Sequence, residues 1–205
     1  RQMCIRDRFR MARDMGPVLK RCRYLGIDPI VLGVTKKASK RKRTMRKLSE
    51  YGIQLKEKQK VKFIYGVLEK QFRNYYKVAD NMHGITGENL LMLLELRLDN
   101  VVYRLGLGRT RKEARQIVRH NLIRVNGKKV NIPSYQVKVG DVIEVKENKK
   151  DLQRFKDVLE VTGSRVVPAW LTVDIENLKG SVVTMPSRDQ LDLPCLLYTS
   201  DAADD

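Results

Sequence analysis

The chain has 205 residues, and 42 lysines and arginines against 24 aspartates and glutamates give it a formal net charge of +18. A clustered charge of this size calls for a polyanionic partner, for which nucleic acid is the usual candidate and a membrane surface the rival. No apolar run approaches the roughly 20 residues of a spanning helix, and no secretory signal is visible, so no membrane partner is expected.

The two ends of the chain differ in character from the rest. Residues 1–10 (RQMCIRDRFR) and 195–205 (CLLYTSDAADD) resemble translated sequencing-adapter sequence, and Met11 resembles the true start. We therefore expect both segments to be artefactual tails outside the fold. Their charges are opposite and equal, so excluding them leaves the charge argument intact.

A short irregular segment and a basic arm come next. Gly16-Pro17 and Asp28-Pro29 limit residues 11–35 to at most one helix, at about Val18–Leu25. The overall charge favours a phosphate-tracking arm for the next run, residues 36–47 (KKASKRKRTMRK). The alternatives are a flexible charged loop and a targeting-like basic tract. The candidate RNA-binding residues of this run are Lys36, Lys37, Lys40, Arg41, Lys42, Arg43, Arg46 and Lys47.

A helical region follows the arm. The spacing of its apolar residues predicts one long helix from about Leu55 to Met82. The stripe consists of Val61, Ile64, Tyr65, Leu68, Phe72, Tyr75, Tyr76 and Ala79. Its tyrosines could stack on bases, but a role in the core is the stronger interpretation. His83-Gly84 ends this helix, and Thr86 or Gly87 begins the next one.

The pattern of apolar residues predicts two short helices at the start of residues 96–150, which we call the module. The first carries the apolar residues Leu98, Val101, Val102 and Leu105 at helical spacing. Thr110 opens the second helix, and Glu113 three residues later completes a capping-box pattern. The apolar stripe of this second helix is Ala114, Ile117 and Val118.

Short strands follow these helices. Asn126-Gly127 predicts a tight hairpin between residues 123–125 and 130–132, because both turn residues need a positive φ. Gly140-Asp141 predicts a second turn, between residues 137–139 and 142–145. The module is therefore expected to contain two helices and a small antiparallel sheet.

Basic residues of the module are candidates for RNA binding. Arg111, Arg115 and Arg119 recur every four residues and so share one helix face. Like charges at this spacing repel by a few tenths of a kcal/mol per pair, which a polyanion would relieve. The alternative is a solvated face neutralised by Glu113 and Glu144. Further candidates are Arg97, Arg104, Arg109, Lys112, Lys128 and Lys129.

The order of these elements and the segment ARQIVRHNLIRVNGKKVNIPSYQVKVGDVI closely resemble the S-four RNA-binding domain family. That domain also occurs in pseudouridine synthases and some tRNA synthetases, so RNA binding is implied more firmly than identity. Asp99 could be mistaken for the catalytic aspartate of a pseudouridine synthase, but its place inside the binding module favours a role facing the helix amino terminus or in an ion pair.

The flanking segments narrow the resemblance. MARDMGPVLKRC, SEYGIQLKEKQKVKFIYGVLEKQFRNYY and TGENLL resemble the bacterial family of small-subunit ribosomal protein four, over about Met11 to Pro194. Some members carry a zinc-binding cysteine cluster near the start. Outside the tails this chain has Cys22 alone, distant in sequence from His83 and His120, so it resembles the zinc-free type and no metal or cofactor is expected.

The resemblance implies an α+β fold. A mainly helical amino-terminal domain, residues 11–95, would be completed by residues 165–194, and the module would be an insertion in it. An exposed helix is expected after Val145, within ENKKDLQRFKDVLEVTG.

The resemblance also implies a function. Members are structural constituents of the cytoplasmic ribosome: they bind small-subunit ribosomal RNA, nucleate subunit assembly and affect translational accuracy. They neighbour ribosomal protein five, lie beside the messenger RNA entry path, and in many cases repress their own operon. The sequence shows no Walker loop, dinucleotide-binding glycine pattern or Cys–His cluster, so no catalytic residues are predicted. The alternative is an RNA-modifying enzyme of the pseudouridine synthase type, or a tRNA-linked protein, that carries the same domain.

Overall fold

The computed structural model describes residues 16–34, 49–163 and 165–191, so the predicted arm and both predicted tails lie outside the described residues. The described residues form two compact units that divide between Lys77 and Val78. Helices and one antiparallel sheet make up these units, which confirms the α+β class.

The first unit is helical. It contains α1 (Val18–Leu25), α2 (Glu50–Tyr65) and the first part of α3 (Glu69–Asp80), with a short 3-10 turn at Pro29–Leu32. The predicted helix at Val18–Leu25 is confirmed. Cys22 lies on the buried side of α1, where burial raises the pKa of its thiol.

The prediction of a single helix from Leu55 to Met82 is wrong at its start and in its middle. α2 begins earlier because the Ser49 hydroxyl caps it, accepting a hydrogen bond from the Gly52 amide at 3.2 Å. It ends at Gly66, whose φ of 64° is the left-handed conformation that closes helices and that glycine adopts without strain. The apolar stripe continues across this break, which is why the spacing alone did not reveal it.

An ion-pair cluster joins α2 to α3 within the first unit. The Lys62 ammonium donates to a Glu69 carboxylate oxygen at 2.6 Å, and Lys58 lies 3.7 Å from the other oxygen. Partial burial alone would raise the pKa of Glu69. The hydrogen bond from Lys62 and the charges of Lys62, Lys58 and Arg73 outweigh that effect, and the pKa lies below its ordinary value.

The second unit contains four further helices among its described residues. They are α4 (Thr86–Glu95), α5 (Leu98–Arg104), α6 (Arg111–Arg119) and α7 (Gln153–Thr162). The predicted start of α4 at Thr86 and the two predicted helices of the module are confirmed.

Helix α7 differs from its prediction as an exposed helix. Phe155 and Val158 are buried, at 1% and 0% exposure, and Thr162 is buried one turn further on. These residues recur every three or four positions, so α7 is amphipathic and packs one face against the unit. None of the described helices is both long and apolar enough to cross a membrane.

The sheet of the second unit has five described strands. They are β1 (Ile123–Val125), β2 (Lys128–Lys129), β3 (Val142–Val145), β4 (Leu171–Asp174) and β5 (Lys179–Val182), in the spatial order β2-β1-β3-β5-β4. Every neighbouring pair is antiparallel.

The predicted hairpin between β1 and β2 is confirmed. Asn126 and Gly127 have φ values of 51° and 74°, as a tight turn of this class requires. The strand after the turn is Lys128–Lys129, however, and the predicted strands at 130–132 and 137–139 do not form.

The strands β4 and β5 extend the sheet of the module. β5 pairs with β3, with Gly180 opposite Ile143, and α4 lies in the second unit. That residues 11–95 form an amino-terminal domain, completed by residues 165–194, stays a prediction.

One apolar core holds this unit together. Its fully buried members come from the helices and from the inner face of the sheet, including Val101, Ile117, Ile143, Phe155 and Trp170. Trp170, just before β4, belongs to the same core as the two module helices. This shared core fixes α6 and the β1–β2 hairpin relative to each other.

Candidate nucleic-acid interface

Helix α6 is held at its start by the predicted cap. The Thr110 hydroxyl accepts a hydrogen bond from the Glu113 amide at 3.2 Å, and a Glu113 carboxylate oxygen accepts one from the Arg109 amide at 2.9 Å. A capping pair of this kind stabilises a helix by about 1 kcal/mol. It also fixes the direction in which the basic residues of α6 point.

The outward face of α6 carries Lys112, Gln116 and Arg119, all exposed. They are spaced four and three residues apart, so they form one row along the helix. The opposite face, which includes Ile117, is buried in the core. Two of the predicted site residues, Lys112 and Arg119, therefore lie together on the surface.

Arg111 and Arg115 point elsewhere, toward α5. The Arg111 guanidinium donates to the Asn100 amide oxygen at 2.8 Å and stacks 4.4 Å from the centre of the Tyr103 ring. Arg115 forms an ion pair with Asp99 at 3.3 Å, which confirms the ion-pairing role expected for that aspartate. The three predicted arginines thus do not form one surface row: Arg119 is exposed, whereas Arg111 and Arg115 are partly buried.

Arg97 and Arg104 are mostly buried. Arg97 is 4% exposed, and its guanidinium donates to both carboxylate oxygens of Asp99, at 3.2 and 3.0 Å. Arg104 donates to both oxygens of the fully buried Glu95, at 3.1 and 2.7 Å. The pair of Arg104 with Glu95 joins α5 to α4, and the pair of Arg97 with Asp99 lies at the start of α5. Both guanidinium groups are therefore engaged by buried carboxylates and do not lie on the exposed surface.

The hairpin tip presents Lys128 and Lys129, both exposed. The tip is fastened to the next turn, because the Asn126 side chain donates to an Asp141 carboxylate oxygen at 2.8 Å and accepts from the Val142 amide at 2.8 Å. These two lysines are therefore exposed cations on a supported turn.

Arg109 lies in the loop before α6. Its side chain is 44% exposed, with the guanidinium 3.9 Å from Glu113, a long and partly solvated ion pair. It can therefore still turn toward a ligand.

Sequence reasoning missed a clamp on this loop, formed by the last residue of α7, Thr162, and by Arg165 after it. The Thr162 hydroxyl donates to the Gly106 carbonyl at 2.7 Å. Arg165 donates to the carbonyls of Tyr103, Gly108 and Arg109, at 3.3, 3.4 and 3.1 Å. Its guanidinium also stacks 4.5 Å from the centre of the Tyr103 ring. Neither residue forms a motif in the sequence, because the partners lie 56 to 62 positions away.

The chain matches two family descriptions. Residues 13–95 match the "Ribosomal protein S4/S9 N-terminal domain", and residues 96–143 match the "S4 domain".

Curated relatives extend the match over most of the chain. The chain is similar to "Small ribosomal subunit protein uS4" of Agathobacter rectalis, at 63% identity over 90% of this chain and 94% of the relative. The protein of that name from Lachnoclostridium phytofermentans is 64% identical over the same shares. That from Desulforamulus reducens is 53% identical, again over 90% and 94%. With identity of this level over nine-tenths of its length, and with both family domains in order, the chain belongs to the small ribosomal subunit protein uS4 family.

Proposed function

We propose that this protein is a structural component of the small subunit of the cytoplasmic ribosome and that it binds the RNA of that subunit. The names of its relatives and the two matched domains support this role. They do not favour the alternative of an RNA-modifying enzyme or a tRNA-linked protein.

The observation that carries the proposal is a set of exposed cations on the capped helix and the supported hairpin. Lys112, Arg119, Lys128 and Lys129 are exposed, and none of the four forms an ion pair with another described residue. Cations left unpaired on a fixed surface are suited to phosphate groups, which supply most of the affinity in RNA binding. Folded RNA is recognised largely by its shape, so rigid spacing of these cations would contribute selectivity.

The inward arginines have a supporting role in this proposal. Arg111 and Arg115 hold α6 against α5, and the clamp by Arg165 fixes the loop that carries Arg109. These contacts order the surface before RNA arrives, which lowers the entropy cost of binding.

Finer roles follow from the family and belong to the same proposal. They include nucleation of subunit assembly, an effect on translational accuracy, and repression of the protein's own operon. Contacts with ribosomal protein five and with messenger RNA at its entry path are further proposals. The basic arm at residues 36–47 is proposed to add affinity through phosphate contacts.

The proposal is tested by binding small-subunit ribosomal RNA, unrelated structured RNA and duplex DNA at matched salt. We expect a clear preference for the ribosomal RNA. The double substitution Lys112→Ala with Arg119→Ala should weaken that binding by about 1–3 kcal/mol, because charge-assisted hydrogen bonds are lost. The matched control removes two exposed lysines elsewhere in the unit, Lys149→Ala with Lys156→Ala, and should change binding much less.

Two results would count against the proposal. Equal affinity for all three nucleic acids would reject a specific ribosomal role. Modified uridine in the recovered RNA would favour the enzyme instead.

A further inference from the structure

The strand register places five charged residues in one row across the whole sheet. Lys129 of β2 lies opposite Arg124 of β1, which lies opposite Glu144 of β3. Glu144 in turn lies opposite Lys179 of β5, which lies opposite Asp174 of β4. Residues directly opposite on antiparallel strands point to the same side of a sheet, so the row occupies one face.

That face is the outer one. Ile123 and Val125, on either side of Arg124, are buried at 0% and 3% exposure in the core that the sheet shares with the helices. Because side chains alternate along a strand, Arg124 points away from this core. Lys129 points the same way, whereas Lys128 lies opposite Val125 and points to the core side. The two lysines of the hairpin therefore serve different faces.

The charges in the row do not balance along its length. Glu144 forms an ion pair with Lys179 at 3.4 Å, and Asp174 lies beyond Lys179. The two carboxylates of the row, Glu144 on β3 and Asp174 on β4, thus both lie near Lys179 and away from Lys129. Arg124 and Lys129 are left as adjacent cations, and neither forms an ion pair within the described residues.

We infer that Arg124 and Lys129, on the outer face of the sheet, together bind one backbone phosphate of the RNA. The site is bounded on the β3 side by Glu144. This inference rests on the proposed function, and it places Lys129, one of the exposed cations named there, with Arg124 on a second face of the RNA contact surface. It assigns a role to Arg124, which sequence reasoning did not single out.

The physical reason is the cost of the pair without a ligand. Like charges directly opposite on neighbouring strands destabilise a sheet. An anion seated between them removes this repulsion and accepts hydrogen bonds from both, with a guanidinium fork on one side and a mobile ammonium on the other. Glu144, on the other flank of Arg124, disfavours a phosphate further along the row, so the site has a defined limit.

The test measures RNA affinity against salt for the full chain carrying Arg124→Ala, Lys129→Ala or both. We expect the double variant to bind small-subunit ribosomal RNA about 10-fold or more weakly. The slope of log affinity against log salt should fall by roughly 0.7–0.9, the amount for one phosphate. Each single variant should lose most of what the double variant loses, since the two residues share one phosphate.

Two control variants and one stability measurement distinguish loss of this phosphate contact from a general loss of positive charge and from unfolding. Lys156→Ala removes an exposed charge from α7 and should leave the affinity within about twofold of wild type. Arg124→Lys keeps the charge and should retain most of the binding. The free energy of unfolding of the RNA-free double variant should change little, because the repulsion between Arg124 and Lys129 and the attraction between Arg124 and Glu144 are lost together.

The outcomes are distinguishable. A double variant with wild-type affinity and salt slope would overturn this inference and leave the proposed function standing. A wild-type protein with no preference for ribosomal RNA would instead reject the proposed function.

Discussion

A methyl group added at Gly180 tests the placement of β5 against the module. Gly180 is buried in the middle of β5, where it lies opposite Ile143 of β3 and Val173 of β4. A Cβ atom built there would lie 2.4 and 2.9 Å from the two terminal carbons of Leu105 and 3.0 Å from the Thr172 carbonyl oxygen. Real Cβ atoms do not tolerate such approaches, so Gly180→Ala forces a neighbour to move.

The cost follows from which neighbours can move. Leu105 is 4% exposed and packed in the core, so it cannot swing into solvent, and the Thr172 carbonyl is fixed by its strand. Overpacking of this kind costs about 1–3 kcal/mol. The chain has a single tryptophan, Trp170, which is fully buried in this unit, so its fluorescence in urea reports the unfolding of this unit. With a urea dependence of about 1–3 kcal/mol per molar, the midpoint should fall by roughly 1 M.

A second substitution provides the control. Leu105→Val shortens the side chain so that it has no Cδ atoms to meet the added methyl group. The combination with Gly180→Ala should therefore destabilise by less than the sum of the two single changes. An unchanged midpoint for Gly180→Ala, with additive effects in the pair, would show that β5 does not lie against Leu105.

Three further predictions concern the clamp, the first unit and the arm. Arg165→Ala should lower the free energy of unfolding by about 2 kcal/mol, because three carbonyls lose a charged donor, and Arg165→Lys should recover only part; a wild-type urea midpoint would contradict the clamp. Glu69 has a lowered pKa in the folded chain, despite its burial, so its stabilising contribution is present above its unfolded pKa of about 4.3 and is lost as the pH falls through the folded value. NMR titration should show a lowered pKa for the Glu69 carboxyl, and an ordinary carboxyl pKa would contradict the prediction. Glu69→Gln should remove the part of the pH dependence of stability that Glu69 causes. In the arm, the slope of log RNA affinity against log salt should flatten by roughly 0.7–0.9 per lost phosphate contact when Lys40, Arg41, Lys42 and Arg43 are replaced by alanine. An unchanged slope would mean that these residues make no phosphate contact.

Local signals in the sequence predicted local structure well. The helix at Val18–Leu25, the cap at Thr110 and the turn at Asn126-Gly127 are confirmed, because each depends on residues within a few positions of one another. The break at Gly66 escaped prediction because the apolar spacing is the same on both sides of it.

Long-range pairing was beyond the sequence. Nothing near β5 indicates that Gly180 pairs with Ile143, since the partners are 37 positions apart and the strand has only four residues. The prediction that the three α6 arginines share one surface failed for a related reason. Equal spacing places Arg111, Arg115 and Arg119 on one side of a helix, but Asn100, Tyr103 and Asp99 decide which of them turn inward.

The strand order has a consequence for how this chain is made. Among the described strands β5 is the last to be synthesised, yet it lies between β3 and β4. At about 5–20 residues per second, the stretch from the end of β3 to the end of β5 takes roughly 2–7 seconds to synthesise. During that interval the β3 edge that β5 will cover has no native partner, and such an edge can pair with other chains. The nascent protein is therefore exposed to aggregation or chaperone capture along this edge until β5 appears, and truncation before residue 179 would make that exposure permanent.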